Sequence, residues 1–107
     1  MKYSVVVSPV AECDLRDIGH YIRFHLDSPQ AAVNTLGRIR RTIASLEDFP
    51  LRHRLSDVGS LGEKGVRITH ARNYSIFYTT DEQTGTVRIL RVLYSGRDIG
   101  EILFDLS

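Results

Sequence analysis

Three runs in the second half of the chain decide the fold: Val66-Arg67-Ile68-Thr69-His70, Tyr74-Ser75-Ile76-Phe77-Tyr78-Thr79-Thr80, and Thr86-Val87-Arg88-Ile89-Leu90-Arg91-Val92-Leu93-Tyr94. Each is rich in β-branched and aromatic residues and bounded by turn formers, the signature of a strand. Ala71-Arg72-Asn73 reads as a tight turn between the first two. Asp81-Glu82-Gln83-Thr84-Gly85 reads as a hairpin loop with its glycine near the end. The three runs therefore form an antiparallel meander. Simple alternation in the last puts Thr86, Arg88, Leu90, Val92 and Tyr94 on one face, and Val87, Ile89, Arg91, Leu93 and Ser95 on the other. Its centre is apolar on both faces, which places it inside the sheet.

Working outward to the N-terminus, Tyr3 to Val7 reads as a further strand, and Ser8-Pro9 as a helix start. Serine caps the first free amides, and proline fits a first turn where its missing N–H is no loss. Leu15, Ile18 and Ile22 follow at helical spacing, and the pattern fades near Leu26-Asp27. Ser28-Pro29 repeats the start signal. Ala32, Leu36, Ile39, Ile43 and Leu46 then mark one apolar stripe, with Arg38, Arg40, Arg41 and Glu47 off it. Phe49-Pro50 ends the second helix. The segment from Leu51 to Lys64 reads as a loop, and the tail from Ile99 to Leu106 as a short helix or a last strand. The order β-α-α-β-β-β predicts an α+β fold, a helical hairpin packed on a small, mainly antiparallel sheet, in a single domain over residues 1–107.

The chain has 107 residues, 42% hydrophobic and 25% charged, with a net charge of +1. This is the profile of one globular domain, and its overall charge does not argue for nucleic acid. Of its 14 cations all but Lys2 and Lys64 are arginine, the side chain suited to two-pronged contact with carboxylate or phosphate. Cys13 stands alone, which excludes an internal disulfide and a cysteine metal centre and points to a reducing, cytoplasmic setting. His20 and His25 lie five apart, off the spacing that grips a metal, so no metal and no cofactor is expected. Neither a signal peptide nor a membrane span is read in the chain.

The order of these elements and their motifs resembles the RelE/ParE superfamily of type II toxin–antitoxin toxins, on the ParE-like side. The resemblance is carried by Tyr3-Ser4-Val5-Val6-Val7-Ser8-Pro9-Val10-Ala11, Leu15-Arg16-Asp17-Ile18 with Tyr21-Ile22, Gly65-Val66-Arg67, Asn73-Tyr74-Ser75-Ile76-Phe77-Tyr78, and Val87-Arg88-Ile89-Leu90-Arg91-Val92-Leu93 with Arg97-Asp98. It spans nearly the whole chain. It implies the helical hairpin and sheet, and a toxin silenced by a cognate antitoxin in a hetero-oligomer. RelE-like members cut messenger RNA on the ribosome, whereas ParE-like members inhibit DNA gyrase.

Cutting RNA through its own 2′-hydroxyl needs a base, cations on the phosphate and an acid for the leaving oxygen. The resemblance places a nuclease arginine after Tyr74, where this chain has Ser75. It places a late tyrosine or histidine in the tail, where this chain has Gly100-Glu101-Ile102-Leu103-Phe104. The expectation is therefore a binding-type gyrase inhibitor with no confident catalytic residue. Its target contacts would be Arg91, Arg97, Asp98, Ile102, Leu103 and Phe104. Arg38, Arg41, Arg52 and Arg54 would meet an acidic antitoxin. The alternative is a ribosome-dependent mRNA endoribonuclease using Arg67, His70, Tyr94 and Arg97. A third possibility is an inactive or re-targeted member that mainly binds its antitoxin. Ser8, Ser28 and Ser95 show no readable base partner, and the first two already serve as caps.

Overall fold

Two serine–proline steps set the helices. Ser8 and Ser28 each accept a hydrogen bond from the amide three residues on, at 3.1 and 3.3 Å, and each is followed by proline at the first helical position. In a computed structural model that describes residues 2–96 and 99–102, the elements are β1 (Ser4–Val7), α1 (Pro9–His20), α2 (Pro29–Ala44), β2 (Arg67–Ala71), β3 (Tyr74–Asp81), β4 (Thr86–Tyr94) and a short α3 (Ile99–Ile102). α1 runs on into a π-helical turn over Tyr21–His25, and the chain reverses through Asp27, whose φ is 50°. The helices cross closely at Gly19, where a Cβ would come within 2.9 Å of the Leu36 side chain.

The sheet order is β1-β4-β3-β2. β2, β3 and β4 form the expected antiparallel meander, and β1 lies parallel to β4. β4 is therefore an inner strand, as its two apolar faces predict. The hairpin loop before it is tied by Asp81, whose Oδ1 accepts from the amides of Gln83 and Thr84, and Gly85 supplies the left-handed residue at φ 67°.

The apolar stripe of α2 and the inner face of α1 close over one side of the sheet. Ala11, Leu15, Ile39, Ile43 and Leu46 pack on Ile76, Tyr78, Val87, Ile89 and Val92. The second side is not bare. Leu61, Val66, Ile68, Phe77 and Leu93 form a smaller cluster there, joined by Val58, Leu90, Ile99 and Ile102. The segment read as a loop thus carries a fully buried leucine, Leu61. It is laced to β2 and the residue before it by Ser56 N–H to Val66 O (2.8 Å) and Ile68 N–H to Arg54 O (3.1 Å).

Plain alternation fails in β4. Register runs Tyr78 with Ile89 but Phe77 with Arg91, so Leu90 is an extra residue, a β-bulge. Before it Val87 and Ile89 face the helices; after it Val92 does so. Leu90 and Leu93 share the opposite cluster. The expectation that Val92 shares a face with Leu90, and Leu93 with Ile89, is corrected by this one inserted residue.

Candidate functional site

The bulge is held from α1. Asp14 is nearly buried and takes Arg91 in two prongs, Nε to Oδ2 at 2.8 Å and Nη2 to Oδ1 at 2.9 Å. The same Oδ2 accepts the Val92 amide at 3.0 Å. Ser8 adds a bond from its hydroxyl to the Leu90 carbonyl at 3.2 Å. Arg91 is held further in its charged form, chiefly by its hydrogen bonds to Asp14. Arg91, expected at a target surface, is thus engaged inside the fold by a residue 77 positions away.

Beside this pair opens a groove of about 890 Å³ between the helical hairpin, the β2–β3 turn and the end of β4. Tyr21, Leu26, Arg38, Arg72, Tyr74 and Tyr94 are among its lining residues. Tyr74 and Tyr94 meet edge to face at 5.8 Å, and burial followed by the neighbouring Tyr94 and Tyr21 raises the Tyr74 phenol above its ordinary value. The π-helical turn contributes Tyr21 and Ile22 to the groove and carries further aromatic side chains. Tyr21 stacks on His25 at 5.2 Å, and Arg23 lies over the Phe24 ring at 5.3 Å. Tyr21, Phe24 and Leu26 are all more than half exposed, an apolar surface that folding of this chain leaves uncovered.

The four arginines expected to meet an antitoxin differ in their engagement within the fold. Arg38 lines the groove, and Arg41 lies a turn further along α2, exposed. Arg52 works within its own loop, donating to the carbonyls of Asp48 and Phe49 and to Ser45 Oγ. Arg54 pairs with Asp57 at 3.5 Å.

The candidate nuclease residues that the structure describes, Arg67, His70 and Tyr94, have separate contacts. The Arg67 guanidinium donates to the carbonyls of Leu51 and His53. His70 lies three residues on; its Nδ1 is 3.3 Å from Ser75 Oγ, which is 2.7 Å from Ser95 Oγ. Tyr94 faces the groove against Tyr74. Ser95, read from sequence as lacking a base partner, therefore reaches His70 through Ser75; the link crosses three strand ends and leaves no trace in local spacing. Of the expected target contacts, Ile102 packs on the second cluster. Arg97, Asp98, Leu103 and Phe104 lie outside the described residues. Among the described residues no group of three His, Cys, Asp or Glu side chains is placed to hold a metal ion, and no helix is long and apolar enough to cross a membrane.

Residues 5–99 match the family model described as the ParE toxin of the type II toxin–antitoxin system parDE. Among solved structures, the chain is similar to one from the chromosomal ParDE toxin–antitoxin system of P. aeruginosa, with TM-score 0.69 and 21% identity over 87% of this chain and 96% of that one. It is also similar to one from the RelBE2 toxin–antitoxin complex of Mycobacterium tuberculosis, with TM-score 0.62 and 21% identity over 88% and 92% of the two chains. A mutant of the E. coli toxin RelE, in the free state, superposes with TM-score 0.64 at 11% identity, over 95% of this chain and 93% of that one. No curated protein matches the sequence. At these identities the solved structures establish the fold, and the family model establishes the membership.

Proposed function

The chain belongs to the ParE toxin family of type II toxin–antitoxin systems, and from that premise we propose that it acts in the cytoplasm by binding a target, DNA gyrase, and is silenced by a cognate antitoxin. The observation that supports a binding toxin over a nuclease is the separate engagement of Arg67, His70 and Tyr94, the described members of the candidate catalytic set. Arg67 is engaged by loop carbonyls, Tyr94 is turned into the groove, and the position that would carry a phosphate-binding arginine is the buried Ser75. General acid–base cleavage needs its groups within hydrogen-bond reach of one substrate, and among the described members Arg67, His70 and Tyr94 contact different partners.

The groove supports the second half of the reading. It has the size, the apolar floor and the aromatic rim to take an amphipathic helix, and Arg38 stands ready for a carboxylate on it. Covering Tyr21 and Leu26, both lining the groove and more than half exposed, would supply the hydrophobic gain, while the arginine would set orientation and association rate.

One observation favours the ribonuclease alternative: His70 is in contact with a serine hydroxyl pair at the strand ends. The two readings separate in a paired assay on the free protein. Gyrase supercoiling, with detection of trapped cleaved DNA, is measured beside message cleavage on translating ribosomes. Gyrase inhibition without RNA cutting is the expected result. Codon-positioned RNA cutting, lost in His70→Ala, would overturn it.

A further inference from the structure

At the far end of α2 from the groove, the chain holds a large aromatic side chain in a backbone conformation that disfavours it. Phe49 has φ 50° and ψ 54°, the left-handed region, and precedes a proline. A bulky residue is rarely found there, and a residue before proline is normally extended. The strain is not offset by burial of the ring: Phe49 is 79% exposed, the most exposed of the large apolar residues described. Leu51 and Leu55 beside it are also exposed.

The backbone under this ring is fastened from several sides. Arg52 donates to the carbonyls of Asp48 and Phe49. The Tyr78 hydroxyl, from the core, donates to the carbonyl of the buried Pro50. Arg67 donates to the carbonyls of Leu51 and His53, the latter at 2.7 Å. The loop from Asp48 to His53 is held through its carbonyls with Pro50 inward and Phe49 and Leu51 outward, a pre-ordered projection. Strain kept in place by its surroundings, at a residue contributing little to the core, is the pattern of a functional position.

We propose that Phe49 is the anchor by which this toxin grips its protein target, inserting into an apolar pocket that carries a carboxylate at its rim. The carboxylate follows from Arg52, three residues on and exposed, whose guanidinium donates, among the described residues, to neutral oxygens: two carbonyls and a serine hydroxyl. Large aromatic side chains and arginines are enriched among the few residues that carry most of the energy of a protein interface. A pre-ordered loop adds affinity because little freedom is lost on docking. This inference rests on the reading of the chain as a binding toxin, and it places the target contact at the opposite end of α2 from the antitoxin groove.

The test uses opposite signs for stability and activity. Glycine enters the left-handed region freely and asparagine tolerates it. The full chain and its Phe49→Gly, Phe49→Asn and Phe49→Tyr variants are induced in bacteria without antitoxin, and the thermal midpoint of each purified protein is measured. Wild type and Phe49→Tyr should arrest growth. Phe49→Gly and Phe49→Asn should need about tenfold or more expression for the same arrest, with midpoints equal to or above wild type. Equal potency of all variants would overturn the anchor and leave the toxin reading standing. Lost potency with a lowered midpoint would assign Phe49 a structural role and overturn it too. A wild type that does not arrest growth would remove the toxin reading and the anchor together. Phe49-dependent co-sedimentation with anionic phosphatidylglycerol vesicles would replace the protein target with a membrane surface.

Discussion

Asp14 on α1 and Arg91 on β4 are joined by two charge-assisted hydrogen bonds at 2.8 and 2.9 Å, and Asp14 at the same time accepts the amide of Val92, just past the bulge. One carboxylate thus fixes the helix to the point where the strand changes faces. Removing it leaves a partly desolvated guanidinium and an amide without their acceptor. Asp14→Ala should lower stability by about 2–3 kcal/mol. The check is urea denaturation in a double-mutant cycle with Arg91→Met. A coupling near zero would show that the pair does not act as a unit.

Ser8 and Ser28 occupy equivalent cap positions, yet they are not equal. Both accept an amide, but Ser8 also donates to Leu90 O at the bulge. Ser28→Ala should cost about 0.5–1 kcal/mol and Ser8→Ala about 1–2 kcal/mol. Equal losses in chemical denaturation would show that the bond to the bulge is energetically silent.

Tyr78 is fully buried, and its hydroxyl reaches the Pro50 carbonyl. Burial pushes its phenol up to about 12, against the smaller opposing pull of Arg67 and Arg52. In an alkaline absorbance titration one tyrosine should therefore ionise late, and Tyr78→Phe should remove that late step. The same variant leaves a carbonyl without its donor and should lose about 1–2 kcal/mol.

His53 sits edge-on to the Tyr78 ring at 6.3 Å. Burial first, then Arg52 and His70, lowers its pKa below 6.5. The folded state therefore prefers the neutral ring, and the unfolded state binds the proton more readily. Stability from this group is complete above about pH 6.5 and is lost as pH falls from there toward the depressed folded value. His53→Gln should flatten the stability profile between about pH 7 and 5; an unchanged slope would assign that dependence to other groups.

Arg38 is the arginine of the four antitoxin candidates that lines the groove. Arg38→Glu should weaken capture of the cognate antitoxin and reduce the salt dependence of the association rate. An unaltered rate across ionic strengths would place the antitoxin elsewhere.

How much of this was visible beforehand differs by residue. The Ser-Pro helix starts, the stripe from Ala32 to Leu46 and the Asp81–Gly85 hairpin loop were all legible, because capping, helical periodicity and turn chemistry act between near neighbours. The candidate site was less so. Arg38, expected at a partner contact, lines the groove, but Tyr21, Tyr74 and Tyr94 converge there from three separate elements, which local spacing does not reveal. Arg52 and Arg54 were expected to meet an acidic antitoxin; their acceptors within the fold are loop carbonyls and a local carboxylate that no spacing rule singles out.

The amino-acid order by itself determined the succession of strands and helices, their apolar faces and the resemblance to a toxin family, because each rests on short-range pattern. The fold in three dimensions alone decided that β1 runs parallel to β4, that Leu90 bulges and exchanges the faces beyond it, and that Asp14 closes on Arg91. These depend on contacts between residues far apart in the chain, where packing of whole elements, and not local propensity, selects the register and the partner.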